Sequence, residues 1–110
     1  MPTYNKLVRD GIPRTIAANG KSFRTRILQP EEYAVALRTK LQEETEEFLR
    51  AKDPEEALEE LADLLEVIRA LAGANGADWD RLEAIRAMKA EKRGGFEDRI
   101  YLVDVDDGES

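Results

Sequence analysis

Two short acidic motifs carry the clearest chemistry in the chain. The first is Glu43-Glu44-x-x-Glu47, and the second, after a gap of twelve residues, is Glu60-x-x-Asp63. On a helix, residues three apart share a face, so Glu44 with Glu47 forms one pair of oxygen ligands and Glu60 with Asp63 another. The chain contains no histidine and no cysteine. Disulfides, thiolate zinc sites and cysteine nucleophiles are therefore excluded. Any metal site must be built from oxygen, which suits magnesium, manganese or calcium, and catalysis falls to carboxylates, Lys, Arg, Tyr, Ser or Thr.

Acidic residues also populate solvated helix faces, and a lone ExxE or ExxD in a glutamate-rich chain means little. Two features speak against that bland explanation. Glu43, Glu44, Glu46 and Glu47 place like charges three and four apart, which costs an isolated helix about 0.2–0.5 kcal/mol per pair, and a face made only for solubility would intersperse Lys. Glu44 also falls where the stripe through Leu37, Leu41 and Phe48 predicts an apolar residue, so it should point inward. Glu46 has Arg50 four residues on and is assigned to surface pairing. Carboxylates converging beside a core repel and lose hydration, so they either take up protons or bind a cation. A hard divalent cation is the expected outcome.

The elements that must position these acids follow from local signals. Pro13 opens a short helix that Asn19-Gly20 stops. Phe23 to Leu28 alternates as a short strand does. Gln29-Pro30 opens a long helix to about Ala51, with Tyr33, Leu37, Leu41 and Phe48 as its apolar stripe. Asp53-Pro54-Glu55-Glu56 combines a capping side chain, a proline at the first helical position and a glutamate three residues after the cap. The helix it begins carries Leu58, Leu61, Leu64, Leu65, Val67, Ile68 and Leu71 and ends at Gly73-Ala74-Asn75-Gly76. Two antiparallel helices joined at residues 53 and 54 set Glu44 level with Asp63 and Glu47 level with Glu60. Asp78 should cap a further helix with Trp79, Leu82, Ile85 and Met88 inward, closed by Gly94-Gly95. Arg99 to Val103 reads as a last strand that pairs with Phe23 to Leu28, and the acidic tail from Asp104 to Ser110 should fray.

The expected fold is thus an all-α helical bundle in one domain, residues 1–110, with a minor pair of short terminal strands. The apolar surface of the second long helix is wider than one neighbour can cover, which predicts completion of the core by dimerisation. At 110 residues with 42% hydrophobic content the core has little to spare. A formal net charge of -7 argues against a nucleic-acid partner, which needs a broadly positive surface. No apolar run resembles a signal peptide or approaches the roughly 20 residues of a membrane span, so a cytoplasmic protein without membrane partners is expected.

Basic residues cluster in two places. Lys89-x-x-Lys92-Arg93-Gly94-Gly95-Phe96 sets three cations at a helix end, either to clamp phosphates or to complement the helix dipole. Lys6 and Arg9, in Tyr4-Asn5-Lys6-Leu7-Val8-Arg9-Asp10, either close over phosphates or are plain surface charges. With EExxE, a twelve-residue gap and ExxD in that order, the sequence resembles the all-α nucleoside triphosphate pyrophosphohydrolase superfamily, which includes MazG, dimeric dUTPases and phosphoribosyl-ATP pyrophosphohydrolase. The flanking YNKLVRDGIP and KRGGFEDRI resemble its small, single-domain, phosphoribosyl-ATP pyrophosphohydrolase-like branch, with Gly11 standing where relatives often carry Lys. The resemblance implies magnesium, with manganese as a substitute, on Glu44, Glu47, Glu60 and Asp63. It further implies Glu43 as an accessory acid near the metal or water, and Lys89, Lys92 and Arg93 as phosphate contacts.

The activity so implied is magnesium-dependent hydrolysis of a nucleoside triphosphate to monophosphate and pyrophosphate by attack of water on the α-phosphorus. With histidine absent, Glu43, Glu47 or the metal must activate that water. Two alternatives stand beside it: phosphoribosyl-ATP pyrophosphohydrolase of histidine biosynthesis, and a non-catalytic helical interaction module. The expected partners are a nucleotide and a second copy of the chain, as a homodimer or higher.

Overall fold

A computed structural model describes residues 2–108, and these form an all-α fold of four helices: α1 (Ile12–Ala18), α2 (Pro30–Leu49), α3 (Pro54–Ala74) and α4 (Trp79–Arg93). The chain divides into two compact units, Met1–Trp79 and Asp80–Ser110. None of the helices among the described residues is long and apolar enough to cross a membrane.

In the first unit, α2 and α3 pack against each other as a hairpin whose turn is fixed by short-range chemistry. Proline stands in the first turn of α1, α2 and α3, where its missing N–H would have no helical partner anyway. The Asp53 side chain accepts from the Glu56 backbone N–H at 2.8 Å, and Glu56 in turn accepts from the Lys52 N–H at 3.4 Å, so free donors at the start of α3 are satisfied by side chains. Helix α3 ends where Gly76 takes φ +79, a conformation glycine adopts without penalty. The Ala77 N–H then reaches back to the Ala72 carbonyl at 2.9 Å, closing the last turn.

Leu37 on α2, 3% exposed, is the one buried apolar side chain among the described residues. Around it, Tyr33, Leu41 and Phe48 on α2 and Leu64, Val67 and Leu71 on α3 are half-buried and mark the packed faces of the hairpin. Leu58, Leu61, Leu65 and Ile68 are exposed. They form a second apolar stripe on α3, since helical residues three and four apart stack on one side.

In the second unit, α4 runs to Arg93 and is closed by Gly94, whose N–H donates to the Ala90 carbonyl at 2.7 Å with φ +79. Ile85 and Met88, expected to face inward, are exposed; α4 is the one helix in this unit among the described residues, so no second helix of the unit covers them.

Strands are expected at Phe23 to Leu28 and at Arg99 to Val103. Among the described residues neither Phe23 to Leu28 nor Arg99 to Val103 is a strand. A strand needs a partner for its backbone groups, and a lone two-stranded pair is at best marginal in water. Arg99 adopts φ 58 and donates its N–H to the Phe96 carbonyl at 3.1 Å, so a turn stands where the strand should begin. Ile27, Ile100, Tyr101, Leu102 and Val103 are all largely exposed. Arg26 instead grips Glu32 near the start of α2 through two hydrogen bonds, at 3.2 and 3.0 Å. The tail expected to fray includes residues 109 and 110, which lie outside the described residues.

Candidate metal centre and phosphate site

Both acidic motifs lie on the hairpin of the first unit. Carboxylate oxygens of Glu44 on α2 and of Glu60 and Asp63 on α3 lie within 4.8 Å of one another, and all three residues are half-buried. Oxygens on opposite sides of a hard divalent cation stand roughly 4–5 Å apart, given metal–oxygen distances of about 2.0–2.6 Å. The set therefore fits such an ion in both chemistry and spacing.

Glu47, expected as the fourth ligand, does not join that set. It is exposed and lines, together with Glu44, Glu60 and Asp63, a cavity of about 360 Å³. Levelness along the hairpin axis brings Glu47 opposite Glu60, but side chains tilt toward a helix's N-terminus and leave the axis at different angles. Glu47 nevertheless acts on its neighbour. The Glu60 carboxyl is pushed above the ordinary carboxylate range, first by loss of hydration and then by the charges of Asp63, Glu47, Glu44 and Glu56.

Cations rim the acids. Arg9 donates to Asp63 at 2.6 Å, across 54 residues of sequence. Lys40 lies 3.4 Å from Glu43 and 3.8 Å from Glu44, with side chains 21% exposed for Lys40 and 17% for Glu44. Lys6 and Arg50 also line the cavity. Arg50 pairs with Glu46 at 3.7 Å, as the sequence suggests. Glu60 has no ion pair among the described residues, so of the three clustered acids it is the one without a counter-charge.

Lys6 is presented by a local device. Asn5 adopts φ 44, a left-handed conformation that asparagine tolerates better than most residues, and Lys6 stands over the Tyr4 ring at 5.4 Å from its centre. Lys89, Lys92 and Arg93 lie exposed on the last turns of α4 in the second unit. Glu43 is exposed at the cavity wall.

Lys40 is the residue that reading the motifs alone overlooks. Its signal is present in the sequence, because a lysine three and four residues before Glu43 and Glu44 must share their face. A cavity that combines clustered carboxylates with interleaved cations can hold a divalent ion and an anionic ligand together, which is the chemistry of phosphate transfer to water.

No curated protein and no solved structure matches the chain. The model of one protein family, phosphoribosyl-ATP pyrophosphohydrolase, matches residues 10–90, a span containing both acidic motifs and Lys40. The chain thus belongs to the phosphoribosyl-ATP pyrophosphohydrolase family and is a hydrolase of phosphoric anhydrides.

Proposed function

We propose that residues 1–110 form one domain that hydrolyses a nucleoside triphosphate to nucleoside monophosphate and pyrophosphate, with magnesium, or manganese in its place, on Glu44, Glu47, Glu60 and Asp63. The observation that carries this reading is the convergence of three carboxylates within 4.8 Å in a cavity that Lys6 and Lys40 also line. A bound magnesium ion would supply positive charge beside the phosphate oxygens and the attacking water.

The chain's own residues do the rest. Lys40 and Lys6 orient phosphate oxygens from the cavity wall, joined by Arg9; Lys89, Lys92 and Arg93 are further candidate phosphate contacts on α4. Glu43 or Glu47, exposed at that wall, takes the proton from water as its oxygen bonds to the α-phosphorus. The bond between the α-phosphorus and the bridging oxygen breaks, and pyrophosphate leaves. The substrate is encountered in the cytoplasm, and the net charge of -7 keeps nucleic acid away. Leu58, Leu61, Leu65 and Ile68, exposed on α3, are covered by a second copy in a homodimer or higher assembly.

The test is a panel of nucleoside triphosphates assayed with magnesium in ¹⁸O-water, measuring pyrophosphate separately from orthophosphate. The expected result is pyrophosphate release with label in the monophosphate. Orthophosphate alone, or label in pyrophosphate, rejects α-phosphorus attack. Glu44→Gln and Glu60→Gln keep side-chain size and should abolish turnover while circular dichroism shows intact helices. The family match favours one further substrate, phosphoribosyl-ATP, cleaved at the same kind of bond. It belongs in the same panel, and a far higher kcat/KM for it than for every triphosphate would establish it as the substrate.

A further inference from the structure

Two side chains with separate expected tasks meet at one contact. Arg9 is expected on phosphate and Asp63 on the cation, yet Arg9 Nη2 donates to Asp63 Oδ1 at 2.6 Å. A guanidinium and a divalent ion on one carboxylate repel each other, so both cannot occupy it without penalty. The pair is a surface contact. Its side chains are 58% and 43% exposed, which keeps such contacts weak in water. The backbone at Arg9 is held, because its carbonyl accepts the Ile12 N–H at 3.0 Å ahead of α1, so the long side chain can swing while its base stays fixed. Three residues earlier on the same segment, Lys6 already lines the acidic cavity.

We infer that Arg9 is an exchangeable counter-ion of the site. It neutralises Asp63 in the metal-free protein, gives up that carboxylate when a divalent cation binds, and then presents its planar fork to the phosphate of the incoming nucleotide. The inference rests on the metal assignment proposed above. Its consequence is a linkage: Arg9 opposes cation binding in the absence of nucleotide, and nucleotide, by engaging the released guanidinium, favours the cation. A fork-shaped donor suits that second role, since guanidinium binds phosphate through two parallel hydrogen bonds.

The test is titration with Mn²⁺ at low ionic strength without nucleotide, counting free ion by electron paramagnetic resonance, on the intact chain and on Arg9→Gln, Arg9→Lys, Lys6→Gln and Glu60→Gln. Arg9→Gln should bind Mn²⁺ about two- to five-fold more tightly, the range an exposed ion pair commands. The gain should fade as salt is raised. Arg9→Lys, which keeps the charge, should stay near the intact chain, and Lys6→Gln, which removes a nearby charge that does not hold Asp63, should gain less. Unchanged or weaker binding by Arg9→Gln, or an equal gain from Lys6→Gln, overturns the exchange while leaving the metal site standing, provided Glu60→Gln still weakens binding. A Glu60→Gln protein that binds Mn²⁺ as the intact chain does overturns the metal assignment itself.

Discussion

Glu60 carries the pH signature of the site. Its carboxyl is held above the ordinary value of 4.5 by lost hydration and by the surrounding acids, so the folded chain binds that proton more tightly than the unfolded chain does. Its charge therefore opposes folding above the raised pKa, and the opposition is relieved as pH falls through that value toward 4.5. Glu60→Gln should raise the melting temperature of chelator-treated protein at neutral pH, and the gain should shrink on acidification; calorimetry across a pH series reads both. Millimolar magnesium should raise the melting temperature of the intact chain and leave that of Glu60→Gln unmoved. One substitution that stabilises the fold and removes turnover is the mark of an acid kept for function. Glu32 behaves in the opposite sense. The Arg26 guanidinium holds it below the usual range, so its contribution to stability is present above the ordinary carboxylate pKa and is lost as pH falls through the lowered one. Lys40 belongs at this scale too. If it orients phosphate, Lys40→Ala should raise KM by about ten-fold, the order of one lost charge-assisted hydrogen bond, with a smaller effect on kcat.

At the scale of elements, the α2–α3 hairpin is the device that turns two weak motifs into one site. Asp53 caps α3 at the turn between the acid pairs. Asp53→Ala should cost about 1 kcal/mol, a fall of roughly 4–8 °C in melting temperature for a domain of this size. Because a frayed α3 start lies six residues before Glu60, the same variant should also weaken Mn²⁺ binding, whereas Glu55→Ala in the same turn should not. Leu37 tests the packing between the helices. As the one buried apolar side chain among the described residues, its replacement by Ala should cost about 2–5 kcal/mol, which approaches the whole stability of a small domain. Denaturant titration should find Leu37→Ala largely unfolded at room temperature unless magnesium is added.

For the whole molecule, the exposed stripe of Leu58, Leu61, Leu65 and Ile68 stands beside a core with one buried apolar side chain among the described residues, Leu37. Apolar surface left in water forfeits about 25 cal/mol for each Å² that could be buried, so covering this stripe should stabilise the assembly far more than any surface ion pair. Sedimentation should find the intact chain as a dimer or larger species, and Leu65→Glu, which sets a charge in the middle of the stripe, should shift it to the 12.5 kDa monomer with a lower melting temperature. An intact chain that sediments as a monomer removes the shared core.

What the sequence determined by itself is the set of helices and the identity of the acids. Pro30, Asp53-Pro54, Asn75-Gly76 and Gly94 mark boundaries through contacts spanning a few residues, and the three-residue spacing within each acidic motif fixes which carboxylates share a face. The two expected strands failed for the complementary reason, because alternation describes a segment while a strand exists only when a distant backbone meets it. The tertiary structure alone decided that carboxylate oxygens of Glu44, Glu60 and Asp63 lie within 4.8 Å of one another while Glu47 lines the same cavity, and that Arg9 spans 54 residues to hold Asp63. Those outcomes depend on how two helices cross and on which rotamer each long side chain adopts. Neither is written in the spacing of residues along one helix.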